Sequence, residues 1–241
     1  TAHALSWQGI TPVFADIDPD THNLDPESVR NKITSNTTAI LGVHLWGRVA
    51  PVEELRQIAK QYNLKLLFDA AHAFGCSHNS TMVGNFGDCE VFSFHATKFF
   101  NTFEGGAVLT NDDQLAEKVR LMRNFGFEGM DNVVHLGING KMTEISAAMG
   151  LVNINSIKDV INTNQQNYFA YKKEIDKIKN ITLFQINQKE SNNYQYIVLE
   201  LNGNLVSKRD EIIRVLHAEN VKARRYFWPG CHRMQPYREQ T

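Results

Sequence analysis

Through its first half the chain alternates short apolar runs with stretches in which apolar residues recur every three or four positions. The runs Thr38–Leu45, Leu64–Asp69, Val91–Phe94 and Ala107–Leu109 have the length and continuity of strands buried on both faces. Thr11–Asp18 reads as a further short strand that ends in acidic turn residues. Between the runs, Val52 to Tyr62 places Val52, Leu55, Ile58 and Ala59 on one face with charges between them, which predicts a helix. Asp25-Pro26-Glu27 supplies an N-cap with proline at the first helical position and opens another helix through Ile33. A third helix is expected over Asp112–Arg123. Strands alternating with helices in this way predict an α/β fold with a mostly parallel sheet flanked by helices.

From Met142 the pattern changes. Met142 to Leu151 reads as a helix rich in small residues (Ala147, Ala148, Gly150), and Ile154 to Lys179 as a long, polar, partly amphipathic one. A strand pair, Ile181–Ile186 and Tyr194–Leu201, is followed by a loop at Asn202-Gly203-Asn204 and a helix over Ser207–Glu219. The pattern divides the chain into a large domain over residues 1–155 and a smaller α+β lobe over residues 156–241. The chain opens at Thr1, inside what reads as a helix or loop already under way. Both ends are therefore expected to lie within a longer polypeptide.

The formal net charge of −1 over 241 residues gives no field that would attract nucleic acid or an anionic membrane. No apolar run approaches the roughly 20 residues that span a bilayer. The three cysteines, Cys76, Cys89 and Cys231, are widely spaced and form no CxxC pair, so neither a zinc site nor a disulfide framework is expected. A cytoplasmic setting suits them.

The chemistry concentrates where strands end, because ligands of parallel sheets gather at the strands' carboxyl ends. Asp69 closes one apolar run, and Ser93 and Lys98 follow the next. Lys98 lies among Phe94, Phe99, Phe100 and Phe103 before the pair Gly105-Gly106. Burial disfavours an ammonium ion and lowers a lysine pKa, the condition for a nucleophilic amine that condenses with an aldehyde. A lysine whose stem covers aromatic surface while its head stays wet fits the same residues. Asp69 needs a cationic partner, either Lys98 or a protonated ring nitrogen on a bound cofactor. An N-cap role before Ala70-Ala71 is the alternative.

Several pieces together carry a resemblance. Asp69-Ala70-Ala71-His72-Ala73-Phe74-Gly75, then Gly84 and Gly87-Asp88, Phe92-Ser93-Phe94-His95-Ala96-Thr97-Lys98 and Glu104-Gly105-Gly106, resemble the sugar-nucleotide aminotransferase family, the DegT/StrS group. The likeness extends back to Pro12–Asp18 and His44-Leu45-Trp46-Gly47, and forward through Gly137–Met142 to Arg225-Tyr226-Phe227 and His232. The resemblance implies a fold-type-I transferase dependent on pyridoxal 5′-phosphate (PLP). In such an enzyme Lys98 would tether the cofactor and move the proton, and Asp69 would keep the pyridine nitrogen protonated. Ser93 would hold the phosphate, and the Gly105-Gly106 turn would support the lysine by adopting backbone angles that other residues resist. His72 stands where the family more often has glutamine, so its role is left open between ring-oxygen donor, titrating group and structural residue.

The resemblance further implies that Asn139 reaches the cofactor phosphate of a neighbouring subunit, giving a homodimer with shared active sites. Lys141 stands in place of a common arginine and is either a substrate contact or a solvated surface residue. Tyr226 and His232 are candidate substrate contacts. The implied reaction moves the amino group of L-glutamate to a nucleotide-linked keto-sugar, with dTDP-4-keto-6-deoxyhexoses as the closest fit, giving an amino sugar for surface polysaccharide. Another fold-type-I activity, of desulfurase or lyase type, and a non-catalytic PLP- or sugar-binding regulator are the alternatives. Thr97 stands where desulfurases carry histidine, and the presence of both Asp69 and Lys98 favours catalysis. The family's glycine-threonine turn and stacking aromatic would lie before Thr1, so this chain alone is expected to bind PLP weakly.

Overall fold

A computed structural model describes residues 1–239, which form two compact units. The larger comprises Asp16–Gln166 and Ile186–Tyr196; the other comprises Thr1–Ala15, Asn167–Gln185 and Ile197 onward. No helix among the described residues is long and apolar enough to cross a membrane.

The larger unit is built on four strands: β1 (Ala39–Val43), β2 (Lys65–Asp69), β5 (Cys89–Ser93) and β6 (Gly106–Leu109), in the order β1-β2-β5-β6. Two short hairpins, β3 (Ser77–His78) with β4 (Thr81–Met82) and β7 (Phe127–Glu128) with β8 (Asn132–Val133), lie outside that sheet. β1, β2 and β5 run parallel, and β6 returns antiparallel to β5 with Ser93 opposite Gly106. The register sets Asp69 opposite Val43 on one side and Val91 on the other, so the carboxyl ends of β1 and β2 are level. Helix α2 (Pro26–Lys32) starts as expected, with the Asp25 carboxylate accepting from the N–H groups of Glu27 and Ser28. Helix α3 (Val52–Tyr62) buries Val52, Leu55, Ile58 and Ala59 and stops at Asn63, whose left-handed conformation closes it. Gly42 leaves room for the Phe68 ring, since a Cβ there would come within 2.7 Å of it.

A buried polar pair holds the centre of this sheet. Glu90 and His44 are both fully buried, with His44 Nε2 2.8 Å from Glu90 Oε1. Ala50 N–H donates to His44 Nδ1 at 3.0 Å, so the neutral ring carries its proton on Nε2 and donates to the carboxylate. The other Glu90 oxygen accepts from the N–H groups of Gly84 and Phe86 at 2.5 and 2.7 Å. The His44 ring stacks on Phe68 with centroids 4.6 Å apart. Beside it, Asp88 accepts from Leu66 N–H at 2.8 Å, and Gly87, at φ +63°, passes so close to the Leu66 carbonyl that a Cβ would lie 2.5 Å from it.

Helix α4 (Asp113–Met122) and helix α5 (Glu144–Asn155) follow, and Ser156 separates α5 from α6 (Ile157–Ile175). The run expected as a strand over Thr11–Asp18 is not one. Asp18 accepts from the N–H groups of Asp20 and Thr21, turning the chain back so that Ile17 makes a single bridge to Leu24.

In the second unit α1 (Ala2–Trp7) opens the chain, and β9 (Ile181–Leu183) pairs antiparallel with β10 (Leu199–Leu201). Buried Tyr168 donates its hydroxyl to the Phe184 carbonyl at 3.0 Å, and α7 (Arg209–Ala218) follows a 3₁₀ turn. The strand pair is shorter than the sequence predicts. Residues 186–196 leave the ladder because their hydrogen bonds go to the loop after β2: Ser77 N–H donates to the Ser191 carbonyl, and Ser191 N–H to Ser77 Oγ.

Candidate active site

Asp69, at the carboxyl end of β2, has one carboxylate oxygen accepting from Ala71 N–H at 3.0 Å. This turns the chain sharply, and no helix forms over residues 70–75. The turn brings His72 beside β1: Trp46 N–H donates to His72 Nδ1 at 3.3 Å. The neutral ring therefore carries its proton on Nε2 and presents a donor. Burial chiefly, with the Lys98 cation second, pushes the His72 pKa down from 6.5 to about 4, against the pull of Asp69.

That shift has a consequence for stability. The folded pKa lies below the unfolded one, so His72 contributes fully above about 6.5, and its contribution is lost as pH falls toward about 4. The loss is at most about 3 kcal/mol. His72→Gln is expected to show a urea midpoint that falls less on acidification through this window than the parent's. Identical pH dependence in the two proteins contradicts the assignment.

Lys98 sits in the connection between β5 and β6. This loop is closed on itself: Phe94 N–H donates to the Gly105 carbonyl at 2.8 Å, Thr102 N–H to the Phe94 carbonyl at 2.9 Å, and Lys98 N–H to the His95 carbonyl at 2.9 Å. Asn153, on α5, reaches in to donate to the Asn101 carbonyl. The aromatic packing differs from the expected ring of four phenylalanines. Its hub is Phe74, which stacks on Phe100 at 4.6 Å and meets Phe92 and Phe94 edge-on. Phe103 is exposed, with φ +62°. Gly105 and Gly106 serve by their size, not by unusual backbone angles. A Cβ on Gly106 would lie 2.6 Å from the Phe92 carbonyl oxygen, and one on Gly105 would strike the Thr102 hydroxyl.

The Lys98 side chain is half-buried. Burial lowers its pKa from 10.5, and the Asp69 carboxylate opposes that shift. Its Nζ lies 3.5 Å from the Tyr196 hydroxyl, and the Tyr196 ring lies 4.6 Å from the His72 ring. Asp69, His72 and Lys98 thus share one electrostatic cluster. Ser93, at the end of β5, accepts from His95 N–H at 3.4 Å. As a donor set this offers an amine whose pKa burial lowers, a carboxylate for a cation, a neutral ring N–H and a hydroxyl.

The other candidates lie elsewhere. Asn139 is exposed and bridges to Asn124, and Lys141 Nζ rests 4.3 Å above the Phe125 ring. Neither hydrogen-bonds to Asp69, His72, Ser93 or Lys98 among the described residues. Tyr226 and His232 belong to the second unit, where Tyr226 stacks on Phe227 at 4.3 Å and His232 meets Phe14 edge-on at 6.3 Å.

Sequence reading missed Tyr196 and Asn193. The polar run from Asn187 to Asn193 reads only as a loop between two apolar segments and gave no sign of the contact.

A sheet of this order, with a carboxylate closing one central strand and a lysine after the next, is that of the fold-type-I aminotransferases. The chain superimposes with a TM-score of 0.93 on a crystal structure of DesI in the presence of its TDP-sugar product, at 46% identity, covering 100% of this chain and 62% of that one. It belongs to the DegT/DnrJ/EryC1/StrS aminotransferase family, matched over residues 1–241, a family of PLP-dependent sugar aminotransferases. Among its relatives is the dTDP-4-amino-4,6-dideoxy-D-glucose transaminase of Shigella dysenteriae, 38% identical over 237 residues (98% of this chain, 65% of that protein). GDP-perosamine synthase of Caulobacter vibrioides is 32% identical over 240 residues (98% and 64%). The chain therefore spans somewhat less than two thirds of these relatives' length.

Proposed function

We propose that the protein of which this chain forms the greater part transfers the amino group of L-glutamate to a nucleotide-linked keto-sugar, with PLP as cofactor. The carrying observation is the Lys98 amine, its proton weakened by burial against the pull of the Asp69 carboxylate, with the neutral His72 ring in the same cluster. Similarity to a dTDP-sugar transaminase and to DesI supports a dTDP-linked 4-keto-6-deoxyhexose as acceptor and an amino sugar as product, which we assign to surface polysaccharide. In this reading residues 1–155 belong to the large cofactor-binding domain and residues 156–241 to a smaller lobe, and the enzyme works in the cytoplasm.

The residues fit the cofactor. Lys98 would bond its aldehyde carbon, Asp69 would accept from its ring N–H, His72 Nε2–H would donate to its ring oxygen, and Ser93 would donate to its phosphate. When bound, PLP supplies an electron sink for a carbanion. The protein's part is to hold the ring charged through Asp69 and to carry a proton to and from the reacting carbon on Lys98 Nζ. His72, neutral over the whole physiological range, orients without exchanging charge.

We assign Asn139 and Lys141 to contacts with a second copy's active site and its substrate, and Tyr226 and His232 to the sugar nucleotide. A homodimer is supported by apolar surface on the Asn139 segment and on α5: Met130, Leu136, Ile138, Ile145, Leu151 and Val152 are all at least 66% exposed. Three measurements test the reading. Light scattering is expected to give twice the chain mass. Incubation with PLP is expected to give a near-visible absorbance band that L-glutamate removes. Of a panel of dTDP- and GDP-linked keto-sugars, a dTDP sugar is expected to restore it fastest. A band indifferent to glutamate would point to a binder without transaminase activity, and a monomer would remove the shared site.

A further inference from the structure

We propose that Tyr196 is a positioning residue for the Lys98 amine: its phenolic oxygen accepts from Nζ, and Asn193 holds it there. The inference rests on Lys98 being the amine that tethers the cofactor, and it adds a partner that lies 98 residues further along the chain.

Tyr196 closes the segment 186–196 of the larger unit, which specific hydrogen bonds hold against the rest of that unit. Asn193 is buried, and its amide donates to the carbonyls of His72 and Phe74 at 2.9 and 3.0 Å. Its Oδ1 accepts from Gln195 N–H at 3.1 Å. The Gln195 side chain then donates to the Thr97 carbonyl, immediately before Lys98. Tyr194 is buried beside it and its hydroxyl accepts from Gln165. One short segment is thus tied both to the turn that carries His72 and to the loop that carries Lys98. The Tyr196 ring, 4.6 Å from the His72 ring, then has its hydroxyl 3.5 Å from Nζ.

The chemistry fixes a direction. A lysine stem has four rotatable bonds, and a flexible amine must be brought to one place to act on both sides of a reaction. A hydroxyl that accepts from the ammonium form favours that form. The groups facing Nζ are Asp69, from the end of β2, and His72, from the turn beyond it, with Tyr196 from the docked segment. Asp69 raises the amine's affinity for its proton and burial lowers it. Loss of the Tyr196 hydroxyl removes one support for the ammonium and lets the proton leave at lower pH. The contact is long for a hydrogen bond, which keeps the expected effect well under one pH unit.

The test uses the full chain without cofactor, trace-labelled with acetic anhydride across neutral to alkaline pH, with the Lys98 peptide quantified by mass spectrometry. Tyr196→Phe is expected to move the midpoint of Lys98 labelling down by about half a unit, or roughly threefold more label at a pH below both midpoints. Asn193→Ala, which frees the segment, is expected to move it the same way and provides the measurement if Tyr196→Phe does not fold. A midpoint that stays put or rises overturns the proposal. In parallel, the parent is incubated with PLP and reduced with borohydride. A label on Lys98 with an unmoved midpoint defeats the Tyr196 inference alone. No label on Lys98 defeats the tethering role on which it rests.

Discussion

Lys98→Ala is expected to reduce transamination by roughly 10⁴-fold, the upper range for removing a group that moves protons in the reaction. It is also expected to abolish the borohydride-fixed label on the cofactor-loaded protein. The fold should survive, because Lys98 is only half-buried and the loop that carries it is held by main-chain bonds from Phe94, Thr102 and His95. Lys98→Arg makes the sharper comparison. Arginine keeps the positive charge near Asp69 but cannot lose a proton at any accessible pH, so charge is retained and nucleophilicity is not. If either variant keeps more than a small fraction of the parent's turnover with an unchanged urea midpoint, Lys98 is not the tethering amine.

Glu90→Ala is expected to produce the largest loss of stability, about 3–5 kcal/mol. The truncation leaves His44 Nε2–H and the N–H groups of Gly84 and Phe86 without their acceptor in a fully buried place. Glu90→Gln does not rescue it. The side-chain amide turns two donor hydrogens toward groups that are themselves donors, and keeps a single acceptor oxygen. Thermal and urea unfolding of the three proteins at neutral pH checks this, with both variants expected well below the parent. A loss of under about 1 kcal/mol would mean that water enters and replaces the carboxylate.

The two predictions differ in how far the sequence foretold them. The placement of Asp69 and Lys98 was legible because Asp69 closes an apolar run and Lys98 follows the next, and a strand's end is where parallel sheets place their chemistry. Helix α3 was legible because Val52, Leu55, Ile58 and Ala59 repeat at helical spacing and nothing nearby competes for its backbone. The Glu90–His44 pair was not, since a glutamate in Cys89-Glu90-Val91 looks like any strand residue facing water. Only the fold reveals that His44, just past the end of β1, reaches Glu90 and that a loop contributes two N–H groups. The 186–196 segment was misread for a related reason. Tyr194–Leu201 has strand-like composition, but the loop after β2 takes the hydrogen bonds of its neighbours first, leaving only Leu199–Leu201 to pair. Phe103 and the Gly105-Gly106 pair fell on the same limit. Composition said aromatic and small, while only coordinates tell which ring faces inward and whether a glycine is wanted for its angles or for its lack of a side chain.

The Asn193 amide meets the His72 carbonyl across 121 residues of chain. During synthesis on the ribosome, all four strands of the larger sheet leave the exit tunnel long before that amide is made. The early chain can therefore build its sheet before Tyr196 exists to stand beside Lys98, and that contact waits on a late meeting between remote parts of the polypeptide. A message truncated ahead of the Asn193 codon would yield a product with its lysine loop closed but without Tyr196 beside the amine.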